Sequence, residues 1–432
     1  MSNLTLNKNI PEVSVAPLIP LVVTNINNIN NINDIFLQNI FNNISNVDTE
    51  NGIIVASQSK DNPDYYYHWT RDAALTILLL IRLLDKEEYN SYYNILRSYI
   101  QSYINNEISI INKLSLEDYG EPKFYVNREK YDKNWGRPQN DGPAIRSYAL
   151  VEYAFHLISK KETELLKPIF NYNHTGLIDK DLEFLLDYSI NKTSFDLWEE
   201  INGYHYFTTF FQLKAIESIE KLIIYFNDKD CRIKKIFMSK LEYNTILNKF
   251  YDKKNKIIKS SFNIINENCN VREYFDSSIF LAQIYCNENP ICIFTINTLI
   301  EFVKKNVKKY NTDNYNFIPI GRYYEDIYYK GNPWFLTTIC IAHYIKNCIK
   351  YLNNNDELFN LKLIELLDLL KCYNYNDIET SINQYCYEID NFVINFYNIH
   401  NQLSEQFDIN NHNPISACHL TWSYASFLFY KF

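Results

Sequence analysis

Residues 73–84 read AALTILLLIRLL, and this stretch sets the fold class. It is apolar almost throughout, broken only by Thr76 and Arg82, and reads as a helix rather than an alternating strand. Tyr89–Ile104 follows as an amphipathic helix. Pro143–Ser159 is another, with proline in its first turn, where a missing N–H costs nothing. Helical patterns then cover Tyr206–Phe226, Leu241–Phe250, Ser277–Cys286, Ile291–Val307, Pro333–Leu352, Leu358–Cys372 and Ala417–Tyr430, with a shorter one at Leu182–Ile190. Alternating strand patterns are nearly absent, and eight glycines in 432 residues leave little room for a sheet-rich fold. The expected class is all-α, built of helix pairs joined by loops and lacking the short fixed period of a solenoid.

Upstream of the helices, Thr24–Asp34 reads TNINNINNIND, a low-complexity stretch that cannot bury a core. Residues 1–34 are therefore read as an arm and 35–432 as one helical domain. The apolar run Val13–Val23 is broken by Pro17 and Pro20 and makes a poor signal peptide. No stretch has the length of a transmembrane helix. A cytoplasmic monomer is expected, with no membrane contact.

The net charge of −9 comes without a basic patch, zinc-knuckle spacing or RNP-like aromatic motif, so nucleic acid is not an expected partner. An acidic surface suits an enzyme acting on a neutral substrate. The tyrosines recur in ordinary helical stretches as well as near motifs, so their number carries no functional weight. The nine cysteines are scattered and none forms C-x-x-C, which gives neither a zinc site nor a thioredoxin-like motif. A few disulfides would suit a secreted form. His400, His412 and His419 have no usual metal spacing and read as loop or core residues. No metal or cofactor is expected.

The unusual residues are concentrated. Six of the eight glycines and all five tryptophans fall in five loops: Asp64–Asp72, Gly120–Gly142, Asp196–Gly203, Gly321–Trp334 and Leu403–Trp422. Loops on a rigid scaffold are where binding and catalysis are usually placed. Asp196-Leu197-Trp198-Glu199-Glu200 puts three carboxylates within five positions beside a tryptophan. Such neighbours raise the cost of ionisation and suit a proton donor, although acidic residues also favour a helix N-terminus. Glu405 stands alone in a polar loop, followed by a helix that carries Trp422. Read by itself it is a solvated surface residue. Tyr65-Tyr66-Tyr67-His68-Trp69-Thr70-Arg71-Asp72 sets aromatic faces next to an Arg–Asp pair. That combination suits the C–H faces and hydroxyl edges of a sugar, but it also suits a helix start capped by Thr70 or Asp72. No G-x-S-x-G, Walker loop, G-x-G-x-x-G or H-E-x-x-H is present.

Five stretches resemble the glucoamylases, glycoside hydrolase family fifteen, in the family's order. They are Gly52–Asp72, Gly120–Phe124 with Trp135–Leu150, Asp196–Thr208, Gly321–Leu336 and Leu403–Ala425. The resemblance implies an (α/α)6 barrel and exo-acting hydrolysis of α-1,4-linked glucose from the non-reducing ends of starch, glycogen or maltooligosaccharides. Slower attack on α-1,6 bonds and release of β-glucose are implied with it. It makes Glu199 the general acid and Glu405 the base. It also puts Tyr65, Trp69, Arg71, Asp72, Trp135, Asp196, Glu200, Arg322, Tyr328, Trp334 and Trp422 around the substrate. Arg71 and Asp72 would hold the terminal glucose, and Glu200 and Arg322 the sugar near the cleavage point. Inversion needs the two carboxyls ~6.5–9.5 Å apart. Departures from the family pattern are His68 for a usual Thr, Tyr324 for a usual Pro, and Cys418-His419 for a usual Arg-Asp pair, the last expected to alter the pocket wall or its stability. Two other readings stay open: a relative with another linkage preference, such as isomaltosaccharide or trehalose, and a catalytically silent glucan-binding domain.

Overall fold

The computed structural model describes residues 31–431 apart from 172, 228, 266–273, 287–291, 311, 352–356 and 372–376. Its helices, in chain order, are α1 Ile32–Phe41, α2 Thr70–Leu83, α3 Tyr93–Ile111, α4 Asp141–Ser159, α5 Leu177–Glu183, α6 Tyr206–Phe226, α7 Ile233–Asn248, α8 Ser278–Tyr285, α9 Ile293–Lys309, α10 Phe335–Cys348, α11 Glu357–Leu369, α12 Ile378–His400 and α13 Thr421–Lys431.

Burial sorts these helices into two shells. Twelve of the fourteen residues of α2 are buried, as are all eight of α8 and ten of the eleven of α13. A helix that is apolar all round needs neighbours on every side. By contrast α7 buries four of its sixteen residues and α12 eight of twenty-three, in a single stripe each. Packing follows this division. Among the described residues α2 touches α4, α4 touches α6, α6 touches α8, α8 touches α10, α10 touches α13, and α13 closes the ring on α2. Around these six inner helices, α1 lies on α13, α3 on α2, α5 on α4, α7 on α6 and α12 on α10, while α9 packs with α11. The chain alternates outer and inner helix, which is the (α/α)6 barrel, with α11 as an addition.

Each inner helix is reached through an outer one, so the six run the same way and bring their N-termini to one end. The loops leading into them are pinned by short β-ladders of a few residues. His68–Trp69 pairs with Lys123–Phe124, Ser194–Phe195 with Asn202–Gly203, and Gln406–Phe407 with Pro414–Ile415, all antiparallel. All five tryptophans sit in these loops or in the first turn of the helix that follows.

Several boundaries differ from the sequence pattern. α1 begins at Ile32 with Asn31 as its N-cap, its side chain accepting from the Asn33 N–H, so the last residues of the Asn-rich stretch are helical. The remainder of the arm lies outside the described residues. Leu182–Ile190 is really α5 continued through one π-type turn, Phe184–Tyr188. α7 starts at Ile233, well before Leu241. The sequence pattern does not announce α12, because its buried stripe is built of Ser381, Ile382, Tyr385, Cys386, Ile389, Val393, Phe396 and Tyr397 rather than a leucine-rich run. Among the described residues no helix is long and apolar enough to cross a membrane.

Candidate active site

A cavity opens at the N-terminal end of the inner ring. It is lined by Tyr65, Trp69, Arg71 and Asp72 from the approach to α2, and by Leu197, Trp198 and Glu199 from the loop before α6. Arg322 and Trp334 come from the approach to α10, Glu405, Leu420 and Trp422 from the approach to α13, and Ala56 completes the wall.

Glu199 sits at the tip of a hairpin, and not at a helix N-terminus as acidic clustering alone suggests. Ser194–Phe195 and Asn202–Gly203 form its stem, and Asp196 closes the turn by accepting from the N–H groups of Glu200 at 2.8 Å and Ile201 at 3.0 Å. The turn holds Glu199 at φ 67°, a left-handed conformation that costs a non-glycine residue roughly 1–3 kcal/mol and persists only where its surroundings enforce it. Donors converge on its carboxyl group. Trp69 Nε1 donates to Oε1 at 2.7 Å, Gln139 Nε2 to Oε1 at 3.0 Å, Arg71 Nη2 to Oε1 at 3.4 Å, and Trp135 Nε1 to Oε2 at 2.8 Å.

Glu405 is buried, contrary to the surface role its polar loop suggests. Its N–H donates to Ala417 O at 2.8 Å, and its carbonyl accepts from Phe335 N at 3.4 Å, tying it to the approaches of both α13 and α10. The Ser416 hydroxyl donates to Oε2, and Ser416 itself has φ 64°. Burial pushes the Glu405 carboxyl up to about 7, against the opposing pull of the Ser416 hydroxyl, Arg322 and the Tyr65 hydroxyl. Tyr65 and Tyr328 share a hydrogen bond of 2.9 Å above this group.

Arg71 is the hub of the cavity floor. It donates to Gln139 Oε1 at 2.8 Å and to Asp141 Oδ2 at 3.2 Å, and its Nε lies 3.4 Å from Asp72 Oδ2. Burial, followed by the Glu199 and Asp141 charges, raises Asp72 to about 6 despite Arg71. Asp72 Oδ2 and Trp334 Nε1 are buried without a hydrogen-bond partner. Arg322 is fixed by Asp326 through bonds of 2.8 and 2.7 Å and pairs with Glu200 at 2.7 Å. Trp422 turns its N–H away to the Tyr285 hydroxyl at 2.7 Å and presents its ring to the cavity.

Residues 31–430 match the family model described as glycosyl hydrolases family 15. The chain belongs to that family. The family 15 chain is 31% identical over 407 residues to a probable glucoamylase of Schizosaccharomyces pombe, covering 88% of this chain and 84% of that one. It is 29% identical over 409 residues to a glucoamylase of Neurospora crassa, where the match takes in 87% of this chain but 62% of the relative. Among solved structures, the Hormoconis resinae glucoamylase matches with TM-score 0.76 and 27% identity, covering 92% of this chain and 72% of that one. The Saccharomycopsis fibuligera glucoamylase matches with TM-score 0.76 and 25% identity, covering 92% of each chain. The family 15 hydrolase shares its (α/α)6 barrel with these neighbours.

Of the residues singled out in the sequence, Tyr65, Trp69, Arg71, Asp72, Glu199, Arg322, Trp334, Glu405 and Trp422 meet at one cavity. Trp135, Tyr328 and Glu200 stand behind or beside them, each bonded to a lining residue. Asp196 lies beneath as the turn's cap, outside the lining. Sequence reasoning gave no role to Ser416, Gln139, Asp141 and, beyond its ring beside the acidic cluster, Trp198, whose N–H donates to both oxygens of Asp276 at 3.0 and 3.1 Å. The first four lie inside the stretches that resemble the family, so that resemblance was the available signal; Asp276 lies outside them. Of the departures, His68 is fully buried, with Nε2 2.8 Å from Glu107 Oε1, and Cys418-His419 does not line the cavity. His419 instead bonds the Tyr424 hydroxyl at 2.9 Å, and that hydroxyl accepts from Leu403 N at 2.9 Å, so the pair supports the loop that carries Glu405.

Proposed function

We propose that this family 15 hydrolase removes single glucose units from the non-reducing ends of α-1,4-linked glucans, and α-1,6-linked units more slowly, with inversion to β-glucose. The observation that carries this reading is the pair of carboxyls, Glu199 and Glu405, facing one cavity from different loops in opposite environments.

In this reading Glu199 is the acid. Its N–H donors are already aimed at the carboxylate that forms as the proton passes to the glycosidic oxygen, so the developing charge needs no reorganisation. Glu405 is the base. Burial gives it the proton affinity of a group poised near 7, well matched to taking a proton from water as the water attacks the anomeric carbon. The Ser416 and Tyr65 hydroxyls orient it. Asp72 Oδ2, ion-paired with Arg71 Nε, and Trp334 Nε1 are buried without a hydrogen-bond partner and are left for sugar hydroxyls. Arg322 and Glu200 serve the sugar next to the scissile bond, and the faces of Trp69 and Trp422 serve the rings.

Below the cavity the ring is filled by buried side chains of α2, α10 and α13, so a glucan enters by its end. Maltoheptaose labelled at its reducing end tests the direction of attack. Early products should be unlabelled glucose and a labelled chain one unit shorter. Labelled fragments of several lengths at first turnover would overturn exo action.

A further inference from the structure

Lys123 is a buried cation, 1% exposed, that the chemistry described so far does not use. It lies directly across the short ladder from Trp69. Its ammonium is met by aromatic faces: the ring centroid of Trp135 is 3.2 Å away, Tyr131 4.1 Å, Trp69 4.5 Å and Tyr67 4.6 Å. Four rings around one ammonium form the kind of cage that proteins build to hold a cation. Two of these rings are the indoles whose N–H groups donate to the two oxygens of Glu199.

We propose that Lys123 is a positioning residue for Glu199, holding Trp69 and Trp135 by their faces so that both indole N–H groups converge on its carboxyl. The inference rests on the reading of Glu199 as the proton donor. A cation over an indole draws electron density from the ring, which makes the N–H a stronger donor. It also locks the ring plane, and with it the direction of that bond. Burial lowers the Lys123 ammonium to about 8, with the Glu199 and Asp64 charges resisting. The groups facing it are Glu199 from the hairpin tip, Asp64 from the approach to α2, Glu121 and Arg137 from the approach to α4, and the phenols of Tyr67 and Tyr131.

The test compares Lys123→Met with Lys123→Arg, measuring kcat and KM for maltotriose across pH. Removing the ammonium takes away a nearby positive charge and frees the two indoles whose N–H groups donate to Glu199. In Lys123→Met kcat should therefore fall about tenfold with KM little changed, while the basic limb of the kcat profile moves up by roughly half a unit or more. Lys123→Arg should keep the limb in place. A limb unmoved in Lys123→Met, or moved equally in Lys123→Arg, overturns the proposal. If Lys123→Met does not fold, tryptophan emission titrated from near neutral to mildly alkaline pH decides. A transition is expected in the wild type and not in Lys123→Arg; none in the wild type, or the same in both, overturns it. Normal turnover by Glu199→Gln would instead bring down the acid assignment. An unmoved limb beside an inactive Glu199→Gln counts against the lysine alone.

Discussion

Replacing Ser416 by alanine tests how the pocket sets the working pH of Glu405. The Ser416 hydroxyl donates to Glu405 Oε2 and holds its proton affinity down, while burial pushes the carboxyl up to about 7. A hydrogen bond to a charged group contributes about 1.5–3 kcal/mol, and one pH unit corresponds to about 1.4 kcal/mol. Complete loss would therefore raise the carboxyl by about 1–2 units. The Tyr65 hydroxyl remains, and water reaches the site through the open cavity, so roughly half of that shift should survive. The base must be ionised to act, so the acidic limb of kcat/KM marks its protonation. In Ser416→Ala that limb should move up by about 0.5–1 unit, with activity lost mainly on the acid side. Ser416 stands at φ 64°, which alanine tolerates no better and no worse than serine, so the backbone term largely cancels. The assay is kcat/KM for maltose across pH, with thermal unfolding as the control. A limb that stays put, or moves down, refutes the reasoning.

Glu199→Gln should lose several orders of magnitude in kcat with little change in KM, because proton donation acts in the transition state; near-normal turnover would end the acid assignment. Trp135→Phe removes one donor from Glu199 Oε2 and should lower kcat by about 10–100-fold, and a change confined to KM would argue against it. Glu405→Gln should alter the pH dependence of stability. The folded carboxyl is raised from 4.5 to about 7, so its contribution is fully present below 4.5 and is lost as pH rises through 7. That loss is on the order of 3 kcal/mol, and the variant should gain on the wild type in Tm between acid and alkaline buffer. An equal Tm difference at both ends would contradict it.

The inner shell was legible in the sequence because helices buried on all sides leave long apolar runs such as Ala73–Leu84. The outer shell was legible only in part. α12 needs one buried stripe, and Tyr385, Cys386 and Ser381 fill it as well as leucine does, so no apolar run announces it. The loops showed where chemistry sits but not how it is arranged. Nothing local distinguishes Glu405 from a surface glutamate, because its burial comes from Phe335, Ala417 and Ser416, near and far in the chain. Nor does the acidic cluster show locally that the Asp196 carboxylate closes the turn that carries Glu199. Ring closure by α13 on α2 joins the ends of the described chain, and no local pattern contains it.

The central claim is that Glu199 and Glu405 act through a water molecule held between them. Proton NMR of the first glucose released from maltotriose, recorded before mutarotation, tests it most directly. The β-anomer appearing first is the predicted result; the α-anomer appearing first would mean retention and contradict the account.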